Sequence, residues 1–276
     1  MQNNVGVLIK MDILNIISLA IVQGLTEFLP VSSSGHLVVF SKFMGFVDQG
    51  IGIDIALHIG SLLAVLIYFK NDVAGMVREV FKAKFTVNVK EKNSRLAWMI
   101  AAASVPALIC GFWLRHYHAA FFRNPNVIGF NILFYGLILY AADVFSKKEK
   151  TFETMNFADA VCIGLAQCLA LVPGTSRSGI TITMARILKL NRVDAAKFSM
   201  LLSVPVIAGA GVLEIYRLIC SGSSSDIVFA LEAVCFSFAA SYAVIYFMMA
   251  WVKKFSFLVF AAYRVLLGLW LIFGVL

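Results

Sequence analysis

Charged residues are scarce in this sequence. They make up 14% of its 276 residues, whereas hydrophobic residues make up 61%, and soluble domains carry roughly 25% charged residues. This composition excludes an ordinary soluble domain and predicts a polytopic membrane protein. The N-terminus also lacks a clear small-residue cleavage site, and its first apolar run contains Gln23 and Glu27. We therefore expect no removable signal peptide.

Metal-type cysteine clusters and nucleotide-binding motifs are missing as well. The five cysteines lie in or beside apolar segments without the spacing of a metal site, and we interpret them as small core residues. The sequence has neither a GxGxxG motif nor a Walker-type glycine-lysine motif, so nucleotide binding is not supported.

Apolar runs divide the chain into two similar halves. Residues 11–29 break at Pro30, and the run 36–46 is too short for a bilayer core that needs about 20 residues, so together they predict a hairpin that enters the membrane and returns. A second broken pair follows at residues 157–172 and 180–190. Full spans are predicted at residues 53–69, 96–114, 127–144, 198–219, 227–252 and 255–276.

This order predicts an inverted repeat, because an odd number of crossings separates the two halves. We expect an all-α polytopic membrane protein with a single membrane domain over residues 1–276. Its halves, approximately 11–145 and 156–276, would each contain a re-entrant broken-helix hairpin and three transmembrane helices. Such repeats place their site near the midplane, where the broken helices meet.

Basic residues are distributed unequally between the two sides of this arrangement. Sixteen of the 23 Lys and Arg residues fall on one side, five fall on the other, and Arg177 and Arg264 lie within membrane segments. Because basic loops stay in the cytoplasm, this bias predicts that both termini lie outside it. The net charge of +8 is thereby explained without a nucleic-acid partner.

The first break, Q-G-L-T-E-F-L-P-V-S-S-S-G-H, carries polar groups at membrane depth. Gln23 and Glu27 are four residues apart and project from one helical face. A carboxylate at the bilayer centre costs about 2.5–3.5 kcal/mol, which favours a functional role for Glu27, whereas Gln23 is equally consistent with an interhelical hydrogen bond. Ser33 is one of three serines that supply caps for the next helix. His36 suits nucleophilic or acid–base work, although a lone membrane histidine is more often a helix–helix contact.

The second break, L-V-P-G-T-S-R-S-G-I-T-I-T, has a comparable layout. Helix starts attract anions through their unpaired N–H groups, and the forked guanidinium of Arg177 matches phosphate oxygens. Capping alone accounts for some of the hydroxyls, but it does not account for an arginine that needs a buried partner. We expect a phosphate cradle that includes Gly174, Ser176, Arg177 and Ser178.

Both breaks resemble the signature regions of a known family. The segments E-F-L-P-V-S-S-S-G-H and P-G-T-S-R-S-G-I-T are similar to those of undecaprenyl pyrophosphate phosphatase, the bacitracin-resistance protein of bacterial inner membranes. The resemblance continues through D-I-A-L-H-I-G-S-L-L-A-V, the S-V-P at 203–205 and the A-Y-R that ends at Arg264. It implies hydrolysis of undecaprenyl diphosphate to the monophosphate carrier lipid, recycled for cell-wall synthesis, at a site that opens to the periplasm.

The resemblance also implies roles for particular positions. Gln23 and Glu27 match the family's acidic pair and would hold Mg²⁺ or Ca²⁺ together with diphosphate oxygens. The matching serine-histidine and phosphate-binding positions are Ser33, His36, Ser176, Arg177 and Thr181. Gln23 stands where many relatives have glutamate, which weakens the case for a strong metal site. His58 replaces a common glutamine, and we expect it to lie beside the site.

Several alternatives stay open. Inverted repeats with broken helices are transporter architecture, so a polyprenyl-phosphate flippase is the second hypothesis. The S-G-H and S-R sequences also suggest a type-2 phosphatidic acid phosphatase, but the histidine and aspartate expected after its S-R motif are replaced by I-T-I-T-M-A. The attacking group, His36, Ser33 or water, is undecided, and a homodimer is one assembly that the sequence leaves open.

Overall fold

The computed structural model describes residues 13–44, 50–88, 90–114, 124–146, 150–221 and 224–274. Within these ranges the chain forms eleven α-helices and no β-strand, so the all-α prediction is confirmed there. A 3-10 turn, Cys168–Leu171, continues the seventh helix. The helices are α1 (Ile13–Glu27), α2 (Ser33–Phe43), α3 (Gly50–Tyr68), α4 (Lys70–Lys82), α5 (Lys92–Leu114), α6 (Pro125–Phe145), α7 (Phe157–Gln167), α8 (Arg177–Ile187), α9 (Arg192–Ser221), α10 (Ser224–Lys254) and α11 (Leu258–Phe273).

Several of these helices are suited to cross a membrane. In the described part of the chain, α5, α6 and residues 227–254 of α10 are each long and apolar enough to span a bilayer. A fourth span results if α3 and α4, which bend by 80° at Phe69, count as one. Helices α1 and α11 and the combined α7 and 3-10 turn are shorter apolar elements of 10–17 residues. The described part of the chain is therefore all-helical, and its apolar helices are those of a multi-pass membrane protein.

The two predicted helix breaks occur where the prolines indicated. Helix α1 ends at Glu27 and α2 begins at Ser33, whereas α8 begins at Arg177 after the Pro173 break. The residue before each new helix has the same unusual backbone, with φ of 80° at Ser32 and 74° at Ser176. Non-glycine residues with positive φ are uncommon and concentrate at functional sites.

A serine caps the new helix at both breaks. The Ser32 hydroxyl accepts a hydrogen bond from the Gly35 N–H at 3.4 Å, and the Ser176 hydroxyl accepts one from the Gly179 N–H at 3.0 Å. Both therefore use the same S-x-S-G sequence, at residues 32–35 and 176–179. The cap satisfies one of the N–H groups that a helix start leaves without a partner.

The helices that carry the breaks pack closely on long helices of the other half. Helix α1 lies against α10, where Gly24 leaves no room for a side chain beside Ala240. Helix α7 lies against α5, where a Cβ atom at Gly164 would come within 2.3 Å of the Ala103 carbonyl oxygen. Small residues allow such close helix contacts in membranes. Helices α3 and α10, and α6 and α11, form the other large contacts.

Helix α4 lies where the sequence predicts no helix. The predicted spans 53–69 and 96–114 leave a connecting segment between them, and α4 occupies residues 70–82 of it. Its apolar residues, Val73, Met76, Val77, Val80 and Phe81, recur at helical spacing. Two charges, Arg78 and Glu79, divide them, and therefore no long apolar run signals the helix.

Arg186, which the charge distribution placed on the basic side, is fully buried at the end of α8. Its Nε donates to Asp143 Oδ1 at 3.0 Å, and Arg192 donates to both oxygens of the same carboxylate at 2.8 Å. The Phe257 N–H also donates to Asp143. This network connects α6, α8, α9 and the start of α11, and breaking such a buried pair is strongly destabilising.

Candidate active site

Glu27 is the centre of a hydrogen-bonded cluster that joins the two breaks. Its side chain is only 5% exposed at the end of α1. Oε2 accepts from the Ser33 hydroxyl at 2.6 Å and from the Gln23 amide at 3.0 Å, and Oε1 accepts from Arg177 Nη2 at 3.0 Å. Four residues predicted from sequence are thus brought into direct contact, and three of them lie more than 140 positions from Arg177.

Arg177 reaches this cluster from the first turn of α8. One end of its guanidinium meets Glu27, and Nη1 donates to the Ser199 carbonyl of α9 at 2.8 Å. Its Nε is buried without a hydrogen-bond partner among the described residues. The guanidinium carbon lies 5.9 Å from the centre of the Phe28 ring. The Nε–H of Arg177 is therefore available to bind an anion beside two helix starts.

His58 lies beside the cluster, as predicted. Its Nε2 is 3.5 Å from Glu27 Oε2, and its Nδ1 is 2.6 Å from the Asp54 carbonyl oxygen. Because a carbonyl only accepts, Nδ1 carries a proton, so Nε2 donates to Glu27 only when both ring nitrogens are protonated.

His36 is held at α2, outside the hydrogen bonds of Glu27 in the described structure. Its Nδ1 lies 2.7 Å from the Ser32 carbonyl oxygen and must be the donor, so in the neutral ring Nε2 accepts from the Tyr263 hydroxyl, also at 2.7 Å. The two rings are stacked 5.7 Å apart. Tyr263, which sequence reasoning missed, therefore orients the His36 ring, and its hydroxyl must leave Nε2 before His36 can accept a proton there.

The other predicted phosphate ligands have contacts of their own. Ser178 donates to the Leu29 carbonyl at 2.9 Å and so ties the second break to the first. The Thr181 hydroxyl bonds the Arg177 carbonyl and the Ser199 hydroxyl within the contact of α8 and α9. Gly174, whose φ is 91°, turns the chain before the cap at Ser176. Their phosphate contacts stay predictions.

A match to a protein-family model shows to which family this chain belongs. The model of the bacitracin resistance protein BacA matches residues 16–270. This chain belongs to the BacA family. The resemblance found in the sequence is thereby confirmed, and the match includes both breaks and the Glu27 cluster.

Several relatives are similar to this chain over almost their full length. A protein of Alteromonas mediterranea is 42% identical over 267 residues, which cover 96% of this chain and 100% of that protein. A protein of Rubrobacter xylanophilus is 41% identical, covering 92% of this chain and 95% of its own length, and one of Teredinibacter turnerae is 38% identical, covering 96% and 100%. All three bear the name undecaprenyl-diphosphatase.

Arg264 holds the two breaks of this BacA-family chain together. It is fully buried on α11. Nη1 donates to the Pro30 carbonyl at 3.2 Å, and Nη2 donates to the Gly174 and Thr175 carbonyls at 3.0 Å. Two carbonyls of α6 complete its partners. The sequence showed only that a charge lies inside an apolar run, because all its partners are main-chain oxygens.

The cluster offers few of the oxygen ligands that a divalent cation needs. Among the described residues no three His, Cys, Asp or Glu side chains group as metal ligands, and Glu27 is the cluster's only carboxylate. However, Gln23 Oε1 is buried without a hydrogen-bond partner one helical turn from Glu27. Mg²⁺ typically binds through one or two carboxylates and substrate phosphates. The residues would therefore fit a weak cation site only if substrate phosphates supplied further ligands.

Proposed function

We propose that this chain is an undecaprenyl-diphosphate phosphatase, which hydrolyses its lipid substrate to undecaprenyl phosphate and inorganic phosphate. The proposal rests on the buried Glu27–Arg177 ion pair. With the Ser33 hydroxyl, this pair brings a carboxylate, a guanidinium and a hydroxyl together where α2 and α8 begin. The name shared by the full-length relatives gives the substrate. In the cell this reaction would recycle the carrier lipid for cell-wall synthesis and support bacitracin resistance.

The proposed reaction is phosphoryl transfer at the terminal phosphorus. Arg177 exchanges its contact with Glu27 for the phosphate oxygens and stabilises the charge that develops on them. Ser33 donates its hydroxyl hydrogen to Glu27, the arrangement in which a carboxylate takes the proton of an attacking hydroxyl. Attack by Ser33 Oγ breaks the anhydride P–O bond, releases undecaprenyl phosphate and leaves a phosphoserine that water hydrolyses. A water beside Glu27 would achieve the same result in one step.

Mg²⁺ or Ca²⁺ is the cofactor that we propose. Glu27 and Gln23 would hold it, and its charge would offset that of the diphosphate. Without substrate, the oxygens of Glu27 already accept from Ser33 and Arg177. Because Arg177 would exchange Glu27 for the phosphate oxygens, we expect metal affinity to rise when substrate binds.

The predicted architecture and location belong to the same proposal. Helix α1 packs on α10 as α7 packs on α5, and α3 packs on α10 as α9 packs on α5. Together with the S-x-S-G caps, this pairing supports an inverted repeat with two re-entrant hairpins. We place the chain in the bacterial inner membrane, with the site open to the periplasm, and we propose a homodimer as the first assembly to test by light scattering in detergent.

The charge bias predicts the orientation of the chain. A reporter that is active only in the cytoplasm should be inactive when fused after Leu276 and active when inserted after Lys84, because segment 69–96 carries the basic residues. Activity in both fusions, or the reverse pattern, would contradict the proposed orientation.

The Tyr263–His36 hydrogen bond predicts a modest role for Tyr263. We expect Tyr263→Phe to lower kcat about fivefold with little change in KM. This factor corresponds to the loss of one ordinary hydrogen bond, here the one that positions the His36 imidazole. Tyr246→Phe, at an exposed tyrosine of α10, is the matched control. An equal loss in both variants would remove Tyr263 from the positioning of His36.

The second candidate is a flippase for a polyprenyl phosphate, which the pairing of broken helices favours. Release of inorganic phosphate from undecaprenyl diphosphate by the purified chain in detergent separates the two functions, because detergent solution has no compartments to transport between. We expect release that a chelator lowers. A preparation that binds the lipid and releases no phosphate would favour the flippase.

A further inference from the structure

An apolar cavity lies away from the Glu27 cluster. It has a volume of about 290 Å³ and lies between α4, α5 and α9. Its walls include Val77 and Val80 of α4, Ala101 of α5 and Val204 of α9. No residue of the cluster lines it. Nothing in the proposed reaction uses this space, and its lining is hydrophobic throughout.

Helix α4 has the pattern of a helix that lies in the membrane interface. One face carries the five apolar residues already named, and the rest of the helix is polar except for Ala74 and Gly75. None of its residues is fully buried, and Val77 and Phe81 are 50% and 63% exposed. The helix also bends by 80° from α3. An amphipathic helix with a basic polar face lies in the plane of the interface with its apolar side toward the hydrocarbon.

The polar face of α4 and the residues after it carry excess positive charge. Both acidic residues of α4 are already paired, Asp72 with Lys197 at 2.6 Å and Glu79 with Lys82 at 3.7 Å. Between residues 70 and 84, the other basic side chains have no acidic partner in the part of the chain that the structure describes; they are Lys70, Arg78 and Lys84, and all are exposed. A phosphate group is the complement of this surface.

We propose that the cavity binds one hydrocarbon chain of an anionic phospholipid, whose phosphate contacts the basic face of α4. The apolar lining accounts for the chain, and the unpaired Arg78 and its basic neighbours account for the preference for a negative headgroup. This lipid is a constituent of the surrounding membrane. Its site is separate from the proposed phosphatase site, and the inference holds whether or not the chain hydrolyses undecaprenyl diphosphate.

Native mass spectrometry of the full chain in detergent tests the proposal. The probes are phosphatidylglycerol and phosphatidylcholine with identical acyl chains, added in equal amounts. We expect the wild type to retain phosphatidylglycerol preferentially, and Ala101→Phe, which fills the cavity, to lose that adduct. Val105→Phe, one turn further along α5 and outside the cavity, should retain it.

A charge variant tests the headgroup separately. Arg78→Gln should lower the preference for phosphatidylglycerol about fivefold. This is the change in binding expected when one basic residue near an anionic lipid surface is removed. Lys254→Gln, at another exposed basic residue, should leave the preference unchanged. Equal retention of both lipids by the wild type, or full retention by Ala101→Phe, would overturn the proposal. Displacement of phosphatidylglycerol by an equal amount of undecaprenyl phosphate would also overturn it and assign the cavity to the carrier lipid.

Discussion

Arg177→Lys should lower phosphate release from undecaprenyl diphosphate by about 10²-fold or more while the protein stays folded. Lysine keeps the positive charge near Glu27, but it loses the planar fork that contacts both Glu27 and the Ser199 carbonyl. Loss of one preorganised donor to developing charge costs this much in other active sites. The measurement is kcat with purified protein, together with thermal unfolding.

Arg192→Lys is the matched control for this prediction. Arg192 also makes a forked contact with a buried carboxylate, that of Asp143, but outside the Glu27 cluster. It should lower thermal stability and leave kcat nearly unchanged. Near-normal turnover by a folded Arg177→Lys protein would reduce Arg177 to a point charge in the mechanism.

Glu27→Gln should lower phosphate release by at least about 10²-fold and should also abolish its response to a chelator. The amide cannot accept the proton of Ser33, and positioned proton transfer contributes roughly 10²–10⁴-fold. It also leaves the Arg177 guanidinium without its carboxylate and removes the only charged ligand proposed for the cation.

Two comparisons separate these effects. Glu153→Gln changes an exposed carboxylate outside the cluster and should keep the wild-type rate. The variant Gln23→Glu should strengthen the response to Mg²⁺, because it adds a second carboxylate one turn from Glu27. A Glu27→Gln protein with the wild-type rate and metal response would refute both the metal role and the role as proton acceptor.

The positions of the breaks and of the central pair could be predicted because their signals are local. A proline ends each apolar run, and a charge within such a run needs a partner wherever it lies. These two rules identified Glu27 and Arg177 independently, and the structure places them 3.0 Å apart. The serines after each proline likewise indicated helix caps, and Ser32 and Ser176 are the ones that cap.

Other features could not be predicted, because their partners carry no sequence signal. Arg264 is held by main-chain carbonyls, which every residue supplies, so nothing in the sequence distinguishes its five contacts. The Tyr263 hydroxyl meets His36 across 227 positions. Helix α4 could not be predicted for a different reason. Its apolar residues are spread at helical spacing and form no long apolar run.

The most direct test of the central claim is phosphate release by the purified wild-type chain in water enriched in ¹⁸O. We predict one inorganic phosphate and one undecaprenyl phosphate for each undecaprenyl diphosphate, with the label found only in the inorganic phosphate, because the attack occurs at the terminal phosphorus. Label in the undecaprenyl phosphate, release of pyrophosphate, or no release at all would contradict the account.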